Sequence, residues 1–274
     1  MFFDRVDLYA YFGLERKTNA QGYLNVYIPD APEYKNRVRP AMLVLAGGGY
    51  SFTSSREKEC VALRYVAEGF AAFTLDYSVA PIRFPAQLIE GAMAMAYIRE
   101  NTQKLRVIED KVAVIGFSAG GHLAGMLGTM FNRAEIKTAL GQKATLVRPD
   151  AMILAYPVIT GGEKAHGGSF YNLFGGDDYD MRAELSIEKN VTANSSPAFI
   201  WTTMDDDHVP SENSLLMATA LKAADVPFEL HMFESGHHGL SLATEETGSV
   251  NKAVQKWFAL SVTWLTARGF VLHD

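Results

Sequence analysis

The chain has 274 residues, 48% apolar and 20% charged, an ordinary globular composition that excludes a disordered polypeptide. Lysine and arginine total 25 against 31 acidic residues, and this net charge of −6 without a basic block argues against nucleic acid and anionic membrane surfaces as partners. The one cysteine, Cys60, cannot form an internal disulfide and rules out Cys-paired zinc modules.

Strands and helices alternate along the chain. No basic segment followed by an apolar run opens it and no apolar run approaches ~20 residues, so a cytoplasmic location is expected. The N-terminal part, with residues 24–28, is predicted to add antiparallel edge strands. The unbroken apolar run 41–46 predicts a fully buried strand. A helix over 58–68 follows, with Cys60, Leu63 and Ala67 expected on its inner face and Gly69 as its stop. Residues 71–75 read as a strand, and Pro85 opens a helix reaching Glu100 with Leu88, Ala92, Met95 and Ala96 on one stripe. Further strands are predicted at 111–117, 151–158, 197–203 and 228–234, and helices at 119–131, 211–224 and 251–268. This pattern predicts an α/β fold, one domain over 1–274, with a mostly parallel sheet of about eight strands and helices on both faces. Residues 160–194, rich in Gly, Asp, Asn and aromatics, break the alternation. They are expected to cross the sheet's carboxyl edge, with some helix near 181–188.

Gly116-Phe117-Ser118-Ala119-Gly120 matches G-x-S-x-G between a predicted strand and a predicted helix. A sharp turn there would lift the Ser118 hydroxyl above the sheet, over the unpaired N–H groups of a helix start. A serine hydroxyl needs a base, usually a histidine oriented by a carboxylate, and after such a turn the chain order is Ser, acid, His. Asp205, Asp206 and Asp207 follow the strand at 197–203, and His237 and His238 follow the strand at 228–234. Position alone leaves three aspartates competing for one role and two histidines for the other. His122 and His208 read as structural. The set His122, His237 and His238 lacks metal-ligand spacing, so neither a metal nor a cofactor is expected. Gly47-Gly48-Gly49-Tyr50 directly follows a strand, where backbone N–H groups can face a developing oxyanion, with the Ala119 N–H as partner. The glycines do not fit a phosphate cradle, since neither G-x-G-x-x-G nor Gly-Lys-Ser/Thr is present. Several aromatics, with Tyr50 and Tyr156 foremost, are candidate substrate contacts.

Gly47 to Tyr50, Leu75 to Pro81, Gly116 to His122, Tyr156-Pro157, Asp205-Asp206 with Val209-Pro210, and Gly236 to Gly239 together resemble the α/β-hydrolase superfamily. Within it the chain resembles the acetyl-esterase, hormone-sensitive-lipase-like branch, and especially the small bacterial sugar-ester (xylan acetyl) esterases. The resemblance implies Ser118 as nucleophile, Asp206 as the acid three residues before the valine of Val-Pro, and His238 as the base before a glycine. It also implies Gly48 and Gly49 as oxyanion donors. Many relatives carry a histidine before the glycine triplet. Here Ala46 stands there, as in others of the sugar-esterase branch. The implied activity is serine carboxylester hydrolysis of short acyl groups, with acetylated oligosaccharide as the small-molecule substrate class and no cofactor; a homo-oligomer is compatible with it. The alternatives are an arylformamidase or peptidase-like hydrolase on the same fold, or a non-catalytic binding protein.

Overall fold

The computed structural model describes residues 1–29 and 37–272. Eight strands form one sheet: β1 (Phe2–Asp7), β2 (Tyr23–Ile28), β3 (Arg39–Leu45), β4 (Ala71–Asp76), β5 (Val107–Phe117), β6 (Ala151–Ala155), β7 (Ala198–Thr203) and β8 (Phe228–Phe233). Their order is β1-β2-β4-β3-β5-β6-β7-β8, antiparallel at β1/β2 and β2/β4 and parallel from there to β8. The helices are α1 (Leu8–Phe12), α2 (Glu59–Ala67), α3 (Ala86–Glu100), α4 (Thr102–Leu105), α5 (Ala119–Thr129), α6 (Ala134–Leu140), α7 (Gly167–Phe174), α8 (Tyr179–Glu184), α9 (Glu212–Ala223) and α10 (Lys256–Thr266).

The central strands are apolar on both sides because both faces are covered, as parallel sheets require. All seven residues of β3 are buried. Leu43 and Leu45 join the core beneath α3, α5 and α9, whereas Met42 and Val44 join the core beneath α2 and α10. That split follows from the two-residue period of a strand. Among the described residues no helix is long and apolar enough to cross a membrane.

Four details differ from the sequence-based expectation. The inner face of α2 is Val61, Ala62 and Tyr65; Leu63 is exposed and Cys60 only half-buried. The Tyr65 hydroxyl meets Ser261 Oγ of α10 at 3.1 Å, which sets the face that turns inward. The predicted stripe of α3 is buried, but so is nearly the whole helix from Gln87 to Ile98, because α1 and α6 cover its outer side. The sixth strand stops at Ala155 rather than 158, because Tyr156 takes a left-handed φ of 36°. The segment 160–194 carries α7, which was not expected, and α8, which overlaps the helix predicted near 181–188.

Candidate active site

Each chemically relevant loop leaves the carboxyl end of a central or neighbouring strand. Ser118 follows β5, with φ 51° and ψ −119°, a region a non-glycine residue occupies only when its surroundings hold it there. Its N–H donates to the Ala155 carbonyl at 3.0 Å and its carbonyl accepts from Val158 N–H at 3.0 Å, so the end of β6 and the loop after it clamp the turn. The flanking glycines are obligatory for packing. A Cβ at Gly116 would lie 2.0 Å from the Gly120 carbonyl oxygen, and one at Gly120 would lie 2.2 Å from that of Leu45. The turn delivers Ser118 to the start of α5, where the first-turn N–H of Ala119 has no partner four residues back.

The structure brings Ser118, His238 and Asp206 together. His238 Nε2 lies 2.8 Å from Ser118 Oγ, and His238 Nδ1 lies 2.8 Å from Asp206 Oδ2. The Asp206 side chain is almost fully buried and that of His238 15% exposed, so solvent barely competes. A carboxylate accepts, so Nδ1 carries the proton and the Nε2 lone pair faces the Ser118 hydroxyl. Asp206 Oδ1 also accepts from the N–H groups of His208 at 3.0 Å and Val209 at 2.8 Å.

The neighbouring aspartates hold the histidine loop. Asp205 accepts from Gly236 N–H at 2.7 Å and the Ser235 hydroxyl at 2.8 Å. Asp207 accepts from the backbone N–H of His238 at 2.8 Å, and this bond, with a contact to His208, pushes its carboxyl down to about 2. His237 turns outward, with Nε2 3.0 Å from Ser249 Oγ. His122 lies buried below the site. Its Nε2–H donates to the Leu185 carbonyl and its Nδ1 accepts from the Tyr50 hydroxyl, both at 2.9 Å, while burial pushes its pKa down to about 4.

On the other flank of β5, the loop after β3 carries Gly47, Gly48 and Gly49. Gly48 has φ 127°, and a Cβ there would strike the Phe52 carbonyl oxygen at 2.2 Å. Gly47 N–H donates to Glu57 Oε2 at 2.7 Å, Tyr77 donates to the Ala46 carbonyl, and Asn172 of α7 donates to the Gly49 carbonyl at 2.9 Å. Among the described residues, the N–H groups of Gly48 and Gly49 have no hydrogen-bond partner. Gly48, Gly49, Ser118 and His238 line one cleft of about 420 Å³, together with Phe52, Arg56, His166, Asn172 and His208.

Tyr50 and Tyr156, expected as substrate contacts, do not line this cleft. Each is at most 2% exposed, and their hydroxyls are committed to His122 and Glu57. Of the other aromatics, Phe52 is the one that borders the cleft, 59% exposed. Sequence reasoning missed Glu57, Asn172 and His166. Glu57 sits in the run Arg56-Glu57-Lys58-Glu59, which reads as a solvated face, and no local pattern marks one member of it as buried.

Residues 24–221 match the BD-FAE family. Over 214 residues, 76% of the chain, the sequence is 38% identical to an endo-1,4-beta-xylanase B of Butyrivibrio fibrisolvens and spans 33% of it. Over 240 residues, 85% of the chain, it is 25% identical to an acetylxylan esterase of Xylanibacter ruminicola and spans 46% of it. The chain therefore spans less than half the length of these two relatives. Among solved structures, an acetyl ester-xyloside bifunctional hydrolase from Caldicellulosiruptor lactoaceticus is similar with a TM-score of 0.85 at 35% identity, covering 98% of this chain and 97% of that one. By the elbow after β5, the mostly parallel sheet and these similarities, the chain is an α/β-hydrolase in fold and belongs to the BD-FAE family.

Proposed function

We propose that the protein is a serine carboxylesterase that removes short acyl groups, acetyl above all, from carbohydrate esters. The observation that carries this reading is the continuous line from Asp206 through His238 to Ser118, two contacts of 2.8 Å, beside unpaired backbone donors in one cleft. In the reaction, His238 Nε2 takes the Ser118 proton as Oγ bonds to the ester carbonyl carbon. The carbonyl oxygen becomes an oxyanion held by the Gly48, Gly49 and Ala119 N–H groups, each such donor contributing about 3 kcal/mol to the transition state. As the C–O bond to the alcohol breaks, His238 returns the proton to the leaving oxygen. Water then attacks the acyl-serine, giving one proton to His238, and the acid departs as Ser118 recovers its proton. Asp206 keeps the imidazole in the tautomer both steps need and faces the imidazolium that forms.

The substrate class is supported by the cleft and by the relatives. A volume of about 420 Å³ suits a small acyl group with one or two sugar rings at its mouth. Relatives named as acetylxylan esterase and acetyl ester-xyloside hydrolase point to acetylated xylo-oligosaccharide. The test is a panel of acetylated xylo-oligosaccharide, p-nitrophenyl esters of rising chain length and N-formylkynurenine, with wild type and Ser118→Ala. Wild type should favour the acetyl esters and Ser118→Ala should be silent on all. Preference for N-formylkynurenine would replace ester by formamide, and turnover by Ser118→Ala would remove the nucleophile.

A further inference from the structure

Glu57 is a carboxylate with 3% exposure, and among the described residues no ion pair offsets its burial. It accepts two hydrogen bonds, one on each oxygen: Gly47 N–H at 2.7 Å and the Tyr156 hydroxyl at 2.6 Å. Gly47 lies in the loop after β3 and Tyr156 directly after β6, while Ser118 follows β5 between them. The pair of bonds therefore spans the strand that carries Ser118. At the Gly47 end the fit is tight: a Cβ there would lie 2.9 Å from Glu57 Oε2 and 3.0 Å from Ser118 Cβ.

The bracket extends to the histidine loop. The Tyr156 hydroxyl accepts from Ser241 N–H at 3.0 Å, and Ser241 stands three residues past His238. Ser241 is fixed further by its own hydroxyl donating to the Arg56 carbonyl at 2.5 Å and by Trp257 Nε1 donating to its carbonyl at 2.9 Å. Tyr156 and Ser241 hold φ of 36° and 52°, conformations that a non-glycine residue keeps only where its surroundings impose them. The Tyr156 ring also lies edge-on to the His238 ring, with centroids 4.9 Å apart.

We infer that Glu57 is a positioning residue for the acyl-transfer step, locking the glycine loop so that Gly47 N–H points inward and the Gly48 and Gly49 N–H groups stay aimed into the cleft. The inference rests on the proposed esterase reading. Glu57 borders the cleft, but its two oxygens are spent on Gly47 N–H and the Tyr156 hydroxyl. Its effect runs through the peptide at Gly47 and, by way of Tyr156, through the loop behind His238. Because an oxyanion exists only along the reaction path, loosening its donors should slow turnover without weakening ground-state binding.

The experiment measures kcat and KM on p-nitrophenyl acetate for wild type, Ser118→Ala, Glu57→Gln, Tyr156→Phe and the double variant. Rates are normalised to active sites titrated with a fluorophosphonate, so misfolded protein does not count, and Ser118→Ala, which the probe does not label, is normalised to folded protein by circular dichroism. Glutamine keeps the shape but has one acceptor for two donors, so its NH2 is set against either the Gly47 N–H or the Tyr156 hydroxyl and the bracket is broken. Glu57→Gln should lower kcat about 100-fold with KM within about twofold, Tyr156→Phe about 10-fold, and the double variant should be little worse than Glu57→Gln alone. A purely structural role would lower the melting temperature and leave kcat per titrated site within about twofold of wild type, which would overturn the inference. A rise in KM at unchanged kcat would overturn it too. If Glu57→Gln does not fold, Tyr156→Phe decides by the same criteria. Wild type without turnover, or Ser118→Ala with it, would sink the esterase reading itself, and this inference would fall with it.

Discussion

The backbone N–H groups around His238, at residues 236–238, are held from the surface, whereas Ser241 farther along the loop is tied to buried Tyr156. Asp205 and Asp207 are solvent-exposed, and each spends its carboxylate on backbone N–H groups of residues 236–238. The glycine loop on the opposite side of Ser118 is held from inside, by buried Glu57 and Tyr77 and by Asn172 of α7. Solvent can replace an exposed bond, so each contributes little. A buried acceptor has no substitute, and losing it leaves its partners unsatisfied. The titration directions differ accordingly. Backbone donors push Asp205 and Asp207 down, whereas burial pushes Glu57 up despite its two bonds. Robustness and leverage are thus divided between two loops that must meet at one hydroxyl.

The largest expected effect comes from Asp206, the one of the three adjacent aspartates that is not exposed. Asp206→Asn should keep the geometry yet lower kcat about 10⁴-fold, because an amide can donate to Nδ1 and favour the wrong tautomer. A loss under about tenfold would move the acid role to a neighbour. The buried bracket at Glu57 comes next, with the hundredfold loss given above. The smallest effect is expected at Asp207. Its carboxyl stands at about 2 in the folded protein against an ordinary 3.8, so its contribution is present above that ordinary value and fades as pH falls toward 2. Asp207→Asn should melt about 1–2 °C below wild type at pH 7, with the gap narrowing below pH 4. A gap that holds constant with pH would mean that the carboxylate charge does not anchor His238.

Much of this arrangement is legible in the sequence because strand order is written in it. Apolar runs at 41–46, 111–117, 151–158 and 197–203 announce buried strands, and the order Ser118, Asp206, His238, each just past a strand's carboxyl end, anticipates their meeting. Proline 197 and Gly69 mark ends correctly because they act on their own backbone. What local pattern cannot carry is which charged residue goes inside. Glu57 is flanked by Arg56, Lys58 and Glu59, and its burial depends on Gly47 and Tyr156, far off in sequence. The same limit explains Tyr50 and Tyr156. Their position beside the glycine loop and after a strand fits a pocket wall, but their hydroxyls point to His122 and Glu57 beneath it. On α2, a stripe of Cys60, Leu63 and Ala67 is as apolar as Val61, Ala62 and Tyr65, and tertiary partners distant in sequence, Ser261 and Phe258 of α10 among them, meet the second set. The short α7 begins with Gly167-Gly168, which reads as loop, and forms over the carboxyl edge, where Asn172 reaches the Gly49 carbonyl.

The central claim is that Ser118 is a nucleophile activated by His238. The direct measurement is intact mass and peptide mapping after exposure to a fluorophosphonate, on wild type and on Ser118→Ala. Wild type should gain one phosphonyl group, located on Ser118, and Ser118→Ala should gain none. An unmodified wild-type chain, or an adduct on a residue other than Ser118, would contradict the account.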